Sequence, residues 1–133
     1  MKIDELQQEI PRIFAPWIAQ MGLQVLSAEP GRVRLRLPIK AEFVHVGGVM
    51  CGQAAMAAAD TAMVLAMMAT LGEFRPMTTV QLQTSFVRPL SGTHCVIDAQ
   101  VLRNGKSLAF GQIDILGADG KLAAQATTTY ALL

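Results

Sequence analysis

The chain contains one long apolar segment, flanked by shorter segments in which apolar and polar residues alternate. Between Glu42 and Glu73 the only charged residue is Asp60, near the middle of a run with apolar residues on every side of a helix. Such a helix is normally buried, so the pattern predicts a central helix over residues 51–71, closed by Gly72.

Two short strands precede this helix and four follow it. Residues 23–28 and 32–38 alternate and are joined by a Glu-Pro-Gly turn. Asn-Gly and Asp-Gly, which are strong hairpin signals, join the last three strands. The four later strands are predicted over residues 78–88, 94–103, 107–116 and 121–132. The order predicts an α+β fold in which an antiparallel sheet wraps the apolar helix.

The N-terminal segment reads as an amphipathic helix over residues 3–20, ended by Gly22. Pro11 and Pro16 are expected to break it into pieces. We therefore expect a single domain over residues 1–133, with residues 1–21 as an N-terminal helix and 22–133 as the core.

Composition narrows the classes of function. Only 16% of the residues are charged and 52% are hydrophobic, which favours a second subunit covering part of the surface. A net charge of +1 gives no electrostatic case for nucleic acid. Two cysteines and two distant histidines predict neither a disulfide scaffold nor a metal site. Charges near the N-terminus and Asp60 inside the long helix favour a cytoplasmic protein that does not span a membrane.

Asp60 is the first candidate for chemistry. Burying a carboxylate costs several kcal/mol unless it is paired, hydrogen-bonded or neutralised. A lone acid in an apolar helix therefore indicates either a functional group or a structural acid paired with a distant cation, and the pattern alone leaves both open.

The second candidate is the start of the same helix. His45 lies in a glycine-rich loop with Gly47 and Gly48, and the helix then begins near Gly52 and Gln53. Backbone N–H groups at a helix start are unpaired, and with the helix dipole they stabilise a developing oxyanion. The alternative is a glycine-rich helix start without a ligand.

A third feature is the first strand after the helix. Strict alternation places Thr79 on the opposite face from Val80, Leu82 and Phe86. Thr79 would share that face with Gln81, Gln83 and Ser85. Most of these polar residues are expected to face solvent, although a hydroxyl such as that of Thr79 could orient a water.

The sequence resembles the hotdog-fold acyl-CoA thioesterases of the phenylacetate-degradation (PaaI) type. The family pattern is Asn-x-x-Gly-x-x-His-Gly-Gly followed by an acid on the central helix. Gly48 and Gly52 match it, whereas His45, Cys51 and Gln53 replace the usual Asn, His and second Gly. Matching blocks also lie at residues 59–62, 86–89 and 101–110.

The resemblance implies a hotdog fold that assembles as a homodimer or a dimer of dimers, with the active site at the dimer interface. It implies an acyl-CoA substrate and no cofactor other than the coenzyme A of that substrate. Asp60 would be the general base or nucleophile, the N–H at Gly52 would hold the thioester oxygen, and Thr79 would help to place the water. Residues near the substrate would be Gly48, Cys51, Gln53, Arg88, Arg103 and Lys106, the last three as candidates for coenzyme A.

Other functions remain open at this point. Cys51 could act as a nucleophile with His45 as its base, because a helix N-terminus favours a thiolate. The altered motif would also suit a non-catalytic protein that binds acyl-CoA or another ligand. A dehydratase of the same fold would pair Asp60 with His45.

Overall fold

The computed structural model describes residues 1–133, and its elements follow the predicted order. Helices α1 and α2 span Ile3–Ile13 and Pro16–Ala19, and the long helix α3 spans Gly52–Leu71. A single 3-10 turn lies at Ala41–Phe43. The strands are β1 Gln24–Glu29, β2 Arg32–Pro38, β3 Met77–Phe86, β4 His94–Asn104, β5 Leu108–Gly117 and β6 Leu122–Leu132.

The six strands form one antiparallel sheet in the order β1-β2-β4-β5-β6-β3. The hairpins β4–β5 and β5–β6 close over the Asn-Gly and Asp-Gly turns, as the sequence predicts, and Gly120 has a φ of +82° that favours glycine. Strands β1 and β3 are the two edges. Helix α3 packs against all six strands, which confirms the predicted α+β layout.

Small residues let α3 lie close to the sheet. Its alanines other than Ala57 are almost fully buried, and at Gly111 of β5 an added Cβ would lie only 2.3 Å from the Sδ atom of Met63. Met63, Met67 and Met68 fill the remaining space, which suits flexible side chains in an irregular core. The helix and sheet are thereby fixed relative to each other, and so are the residues that they carry.

The prediction that Pro11 breaks the first helix is wrong. Pro11 lies inside α1, in its last turn, where a missing N–H removes one hydrogen bond and the helix ends two residues later. The break lies instead at Phe14 and Ala15, and Pro16 begins α2 at a position where no intrahelical N–H is needed. This break turns α2 toward the exposed face of α3.

The prediction that α3 is buried on every side is also wrong. Gln53, Met56, Ala57 and Asp60 recur at helical spacing and are only partly covered or exposed, so they form one open stripe. By length and composition α3 could cross a membrane, but 72% of its apolar window is buried inside the protein, as in a core helix. Asp60 is therefore half-buried and faces an opening.

Candidate active site

Asp60 receives two hydroxyl hydrogen bonds on one carboxylate oxygen. Thr79 of β3 donates from Oγ1 to Asp60 Oδ1 over 2.8 Å, and the hydroxyl of Tyr130 of β6 donates to the same oxygen. No protein group donates to Oδ2, and the carboxylate forms no salt bridge. The structure thus does not pair Asp60 with a cation, and one oxygen stays available.

A β-bulge explains how Thr79 reaches Asp60. Thr79 pairs with Tyr130 and Gln81 pairs with Thr129, so Val80 is an extra, unpaired residue. The bulge shifts the alternation and places Thr79 on the same face as Leu82. The sequence prediction of opposite faces is wrong for this reason, because strict alternation assumes an unbroken ladder. Gln81, Gln83 and Ser85 are exposed, as expected.

Tyr130 is the site residue that sequence reasoning missed. It is the only tyrosine of the chain and is 2% exposed. Burial raises the pKa of its hydroxyl, and the hydrogen bond to Asp60 raises that pKa further, so the group stays a protonated donor at neutral pH. The signal was available: a buried tyrosine hydroxyl usually finds a partner, and the facing helix carries only one charge.

These three side chains lie in the wall of an apolar pocket of about 480 Å³. Apart from Asp60 and Tyr130, none of the lining residues titrates. Trp17 of α2 is 63% exposed and lies at the pocket. The other large apolar side chains of the wall are Phe14, Ile18, Met56, Val64, Met77 and Leu82. The pocket suits an apolar group placed beside a carboxylate.

Within one chain, the start of α3 lies apart from Asp60. Cys51 is the N-cap, its side chain makes no capping hydrogen bond, and Gly52 is the first helical residue. An added Cβ at Gly52 would lie 3.2 Å from the ring of Phe86. Gly52 precedes Asp60 by eight residues, so the two are about 12 Å apart along the helix. One chain alone does not bring the oxyanion donors to Asp60.

The loop before α3 keeps its histidine in local contacts. His45 is exposed, and its Nδ1 accepts a hydrogen bond of 2.9 Å from the N–H of Gly47. Gly48 follows in the turn with a φ of +78°. His45, Cys51, Gly52 and Gln53 line one surface pocket, but His45 makes no hydrogen bond to the thiol. A Cys–His pair is therefore not assembled in this structure.

The three candidate cations lie at two ends of the sheet. Arg88 follows β3, lines a pocket of about 370 Å³ with Gly52, and donates from Nη1 to the carbonyl oxygen of Leu122 over 2.8 Å. Arg103 and Lys106 are exposed at the β4–β5 hairpin, at the opposite end. Within one chain, only Arg88 is close to the helix start.

Comparisons with known proteins show the family and the fold of the chain. The model of the thioesterase superfamily matches residues 47–124. Human acyl-coenzyme A thioesterase 13 is 30% identical over 109 residues, covering 80% of this chain and 77% of that protein. Zebra fish thioesterase superfamily member 2 superposes with a TM-score of 0.89 at 25% identity, covering 100% and 99% of the two chains. A mutant of the phenylacetic acid degradation protein PaaI from Thermus thermophilus superposes with a TM-score of 0.79 at 26% identity, covering 90% and 100%.

Proposed function

The chain belongs to the thioesterase superfamily and is a thioester hydrolase of the PaaI-like hotdog type, and from this premise we propose that it hydrolyses an acyl-CoA with Asp60 as the catalytic carboxylate. The observation that carries the proposal is the set of groups that surround the Asp60 carboxylate. Asp60 is a carboxylate without a cation, held through Oδ1, with Oδ2 free beside an apolar pocket.

Two routes use the free oxygen. As a general base, Oδ2 takes a proton from a water whose oxygen then attacks the thioester carbonyl. As a nucleophile, Oδ2 attacks the carbonyl itself, and water hydrolyses the resulting anhydride. In both routes the tetrahedral intermediate expels the coenzyme A thiolate, and both require Asp60 to be ionised.

A second subunit would complete this site. Strand β3 is an edge of the sheet, and it runs from Thr79 beside Asp60 to Phe86 beside Gly52. If two copies pair antiparallel along β3, Thr79 of each faces the Phe86 end of the other, so each Asp60 approaches the partner subunit's helix start. Exposed Val80 and Val87 on this edge support such an interface. The partner's N–H at Gly52 would then stabilise the thioester oxyanion.

The pocket and the surface cations suggest how the substrate is oriented. The apolar pocket at Trp17 and Met56 favours an aromatic or medium-chain acyl group. Arg88 is a candidate for the coenzyme A phosphates because it lies beside Gly52. Arg103 and Lys106 are candidates at the other end, because their hairpin lies at the Thr79 end of the same sheet.

The test is a hydrolysis screen over a panel of acyl-CoA esters, with release of free thiol as the readout. We expect hydrolysis of at least one aromatic or medium-chain ester and a loss of at least ~100-fold for Asp60→Asn. The same variant should keep the oligomeric state measured by light scattering. Binding of every ester without thiol release would contradict the proposal, and a wild-type monomer would contradict the shared site.

A further inference from the structure

We infer that Tyr130 is a positioning residue for Asp60, because its hydroxyl and that of Thr79 hold Oδ1 and leave Oδ2 as the reacting oxygen. The inference rests on the proposed catalytic role of Asp60. Neither the sequence motif nor the family resemblance points to this tyrosine. It comes from the hydrogen bonds that two neighbouring strands make to one oxygen of the helix.

The two donors differ in how firmly they are held. Tyr130 is 2% exposed and lies on β6, between β5 and β3, where it pairs with Ala109 and Thr79. Thr79 is exposed and lies on the edge strand beside a bulge. A hydroxyl fixed by a central strand and buried from water keeps its position, whereas Thr79 has room to exchange its bond with a water. Tyr130 is therefore the fixed support of the carboxylate.

The chemistry of the phenol agrees with this role. Its single proton has two acceptors within reach, Oδ1 of Asp60 and the carbonyl oxygen of Asp60 at 2.9 Å. An ionised carboxylate is the stronger acceptor, so the proton goes to Oδ1. A donor held on Oδ1 prevents rotation of the carboxylate. No charged side chain from β3, β6 or α2 faces Asp60 across the pocket, so Thr79 is the only other side chain that supports the carboxylate.

The variant Tyr130→Phe removes one oxygen atom and keeps the ring in the core. We expect kcat to fall about tenfold, the effect of one lost hydrogen bond, with KM unchanged. Thr128→Val is the matched control, since Thr128 is a buried hydroxyl on the same strand that donates to the carbonyl oxygen of Gln81 over 2.8 Å. Thr128→Val should leave kcat unchanged.

A second measurement separates this inference from the proposed function. The carboxyl carbon of Asp60 is followed by NMR at neutral pH, and its signal is assigned by its loss in Asp60→Asn. A chemical shift that changes in Tyr130→Phe but not in Thr128→Val supports the positioning role even if no ester is hydrolysed. An unchanged chemical shift, or an unchanged kcat in an enzyme that needs Asp60, would overturn the inference and leave the role of Asp60 intact. Full activity of Asp60→Asn would instead overturn the proposed function.

Discussion

Asp60 on α3 and Asp98 on β4 are both aspartates, but different groups surround their carboxylates. Asp98 lies on the outer face of β4 and accepts hydrogen bonds from Arg32 Nε at 2.9 Å and Nη2 at 2.6 Å, with Arg34 Nε at 3.6 Å. The hydrogen bond to Asp98 raises the pKa of Arg32. Asp60 lies on the helix side and contacts only hydroxyl groups. The charge of Asp98 is matched by cations, whereas that of Asp60 is left available for a substrate.

The largest expected effect is a difference in hydrolysis rate between variants of the two aspartates. Asp60→Asn should lower acyl-CoA hydrolysis by at least ~100-fold, because the amide has no basic or nucleophilic oxygen. Asp98→Asn should leave the rate unchanged, because the outer face of β4 is remote from the pocket. Steady-state kinetics of both variants on the best ester checks this prediction. Equal losses in the two variants would remove the distinction.

A smaller effect is expected at Thr79. Thr79→Val keeps the shape of the side chain but removes the hydrogen bond to Oδ1, and loss of one such bond should lower kcat by about threefold to tenfold. Thr79→Ser retains the hydroxyl and should retain most of the rate. Comparison of the two variants by kcat distinguishes the hydrogen bond from packing. A rate that falls equally in both would show that packing at the bulge matters more than the donor.

The sequence was sufficient for the architecture but not for the contacts of the site. Hairpin signals and hydrophobic periodicity predict the order of the elements along the chain and the central helix, because these depend on local and repeated features. The bulge at Val80 depends on how β3 pairs with β6, and no residue type near Val80 indicates a bulge in the sequence. The open stripe around Asp60 likewise depends on where α2 and the sheet end. Tyr130 was missed because its partner lies 70 residues away in the sequence.

The raised pKa of Tyr130 predicts a pH effect on stability. A phenol whose pKa is higher in the folded state contributes its full stabilisation below about pH 10, and loses it as the unfolded chain ionises above that pH. Between about pH 10 and 11, the free energy of unfolding should therefore fall less in Tyr130→Phe than in the wild type. Burial also raises the pKa of Cys95 to about 12, but this contribution is common to both proteins. The measurement is urea unfolding of both proteins at several pH values. A free energy of unfolding that falls equally with pH in the two proteins would contradict the raised pKa of Tyr130.

The smallest effect is expected at Cys51. Its thiol makes no capping hydrogen bond and has no bond from His45, so Cys51→Ala should keep most of the activity. The check is the hydrolysis rate of the variant, together with the effect of an alkylating reagent on the wild type. A loss of rate comparable to that of Asp60→Asn would contradict a mechanism based on the carboxylate alone.

The central claim is that Asp60 is retained for chemistry and not for stability. The most direct test measures thermal melting and hydrolysis on the same preparations of Asp60→Asn, with Asp98→Asn as the comparison. An amide oxygen still accepts from Thr79 and Tyr130, and a half-buried charge without a cation is removed, so Asp60→Asn should melt at or above the wild-type temperature while losing its activity. Asp98→Asn should melt lower and stay active, because it loses its charge pairing with Arg32 and Arg34. An active Asp60→Asn with a clearly lowered melting temperature would contradict the account.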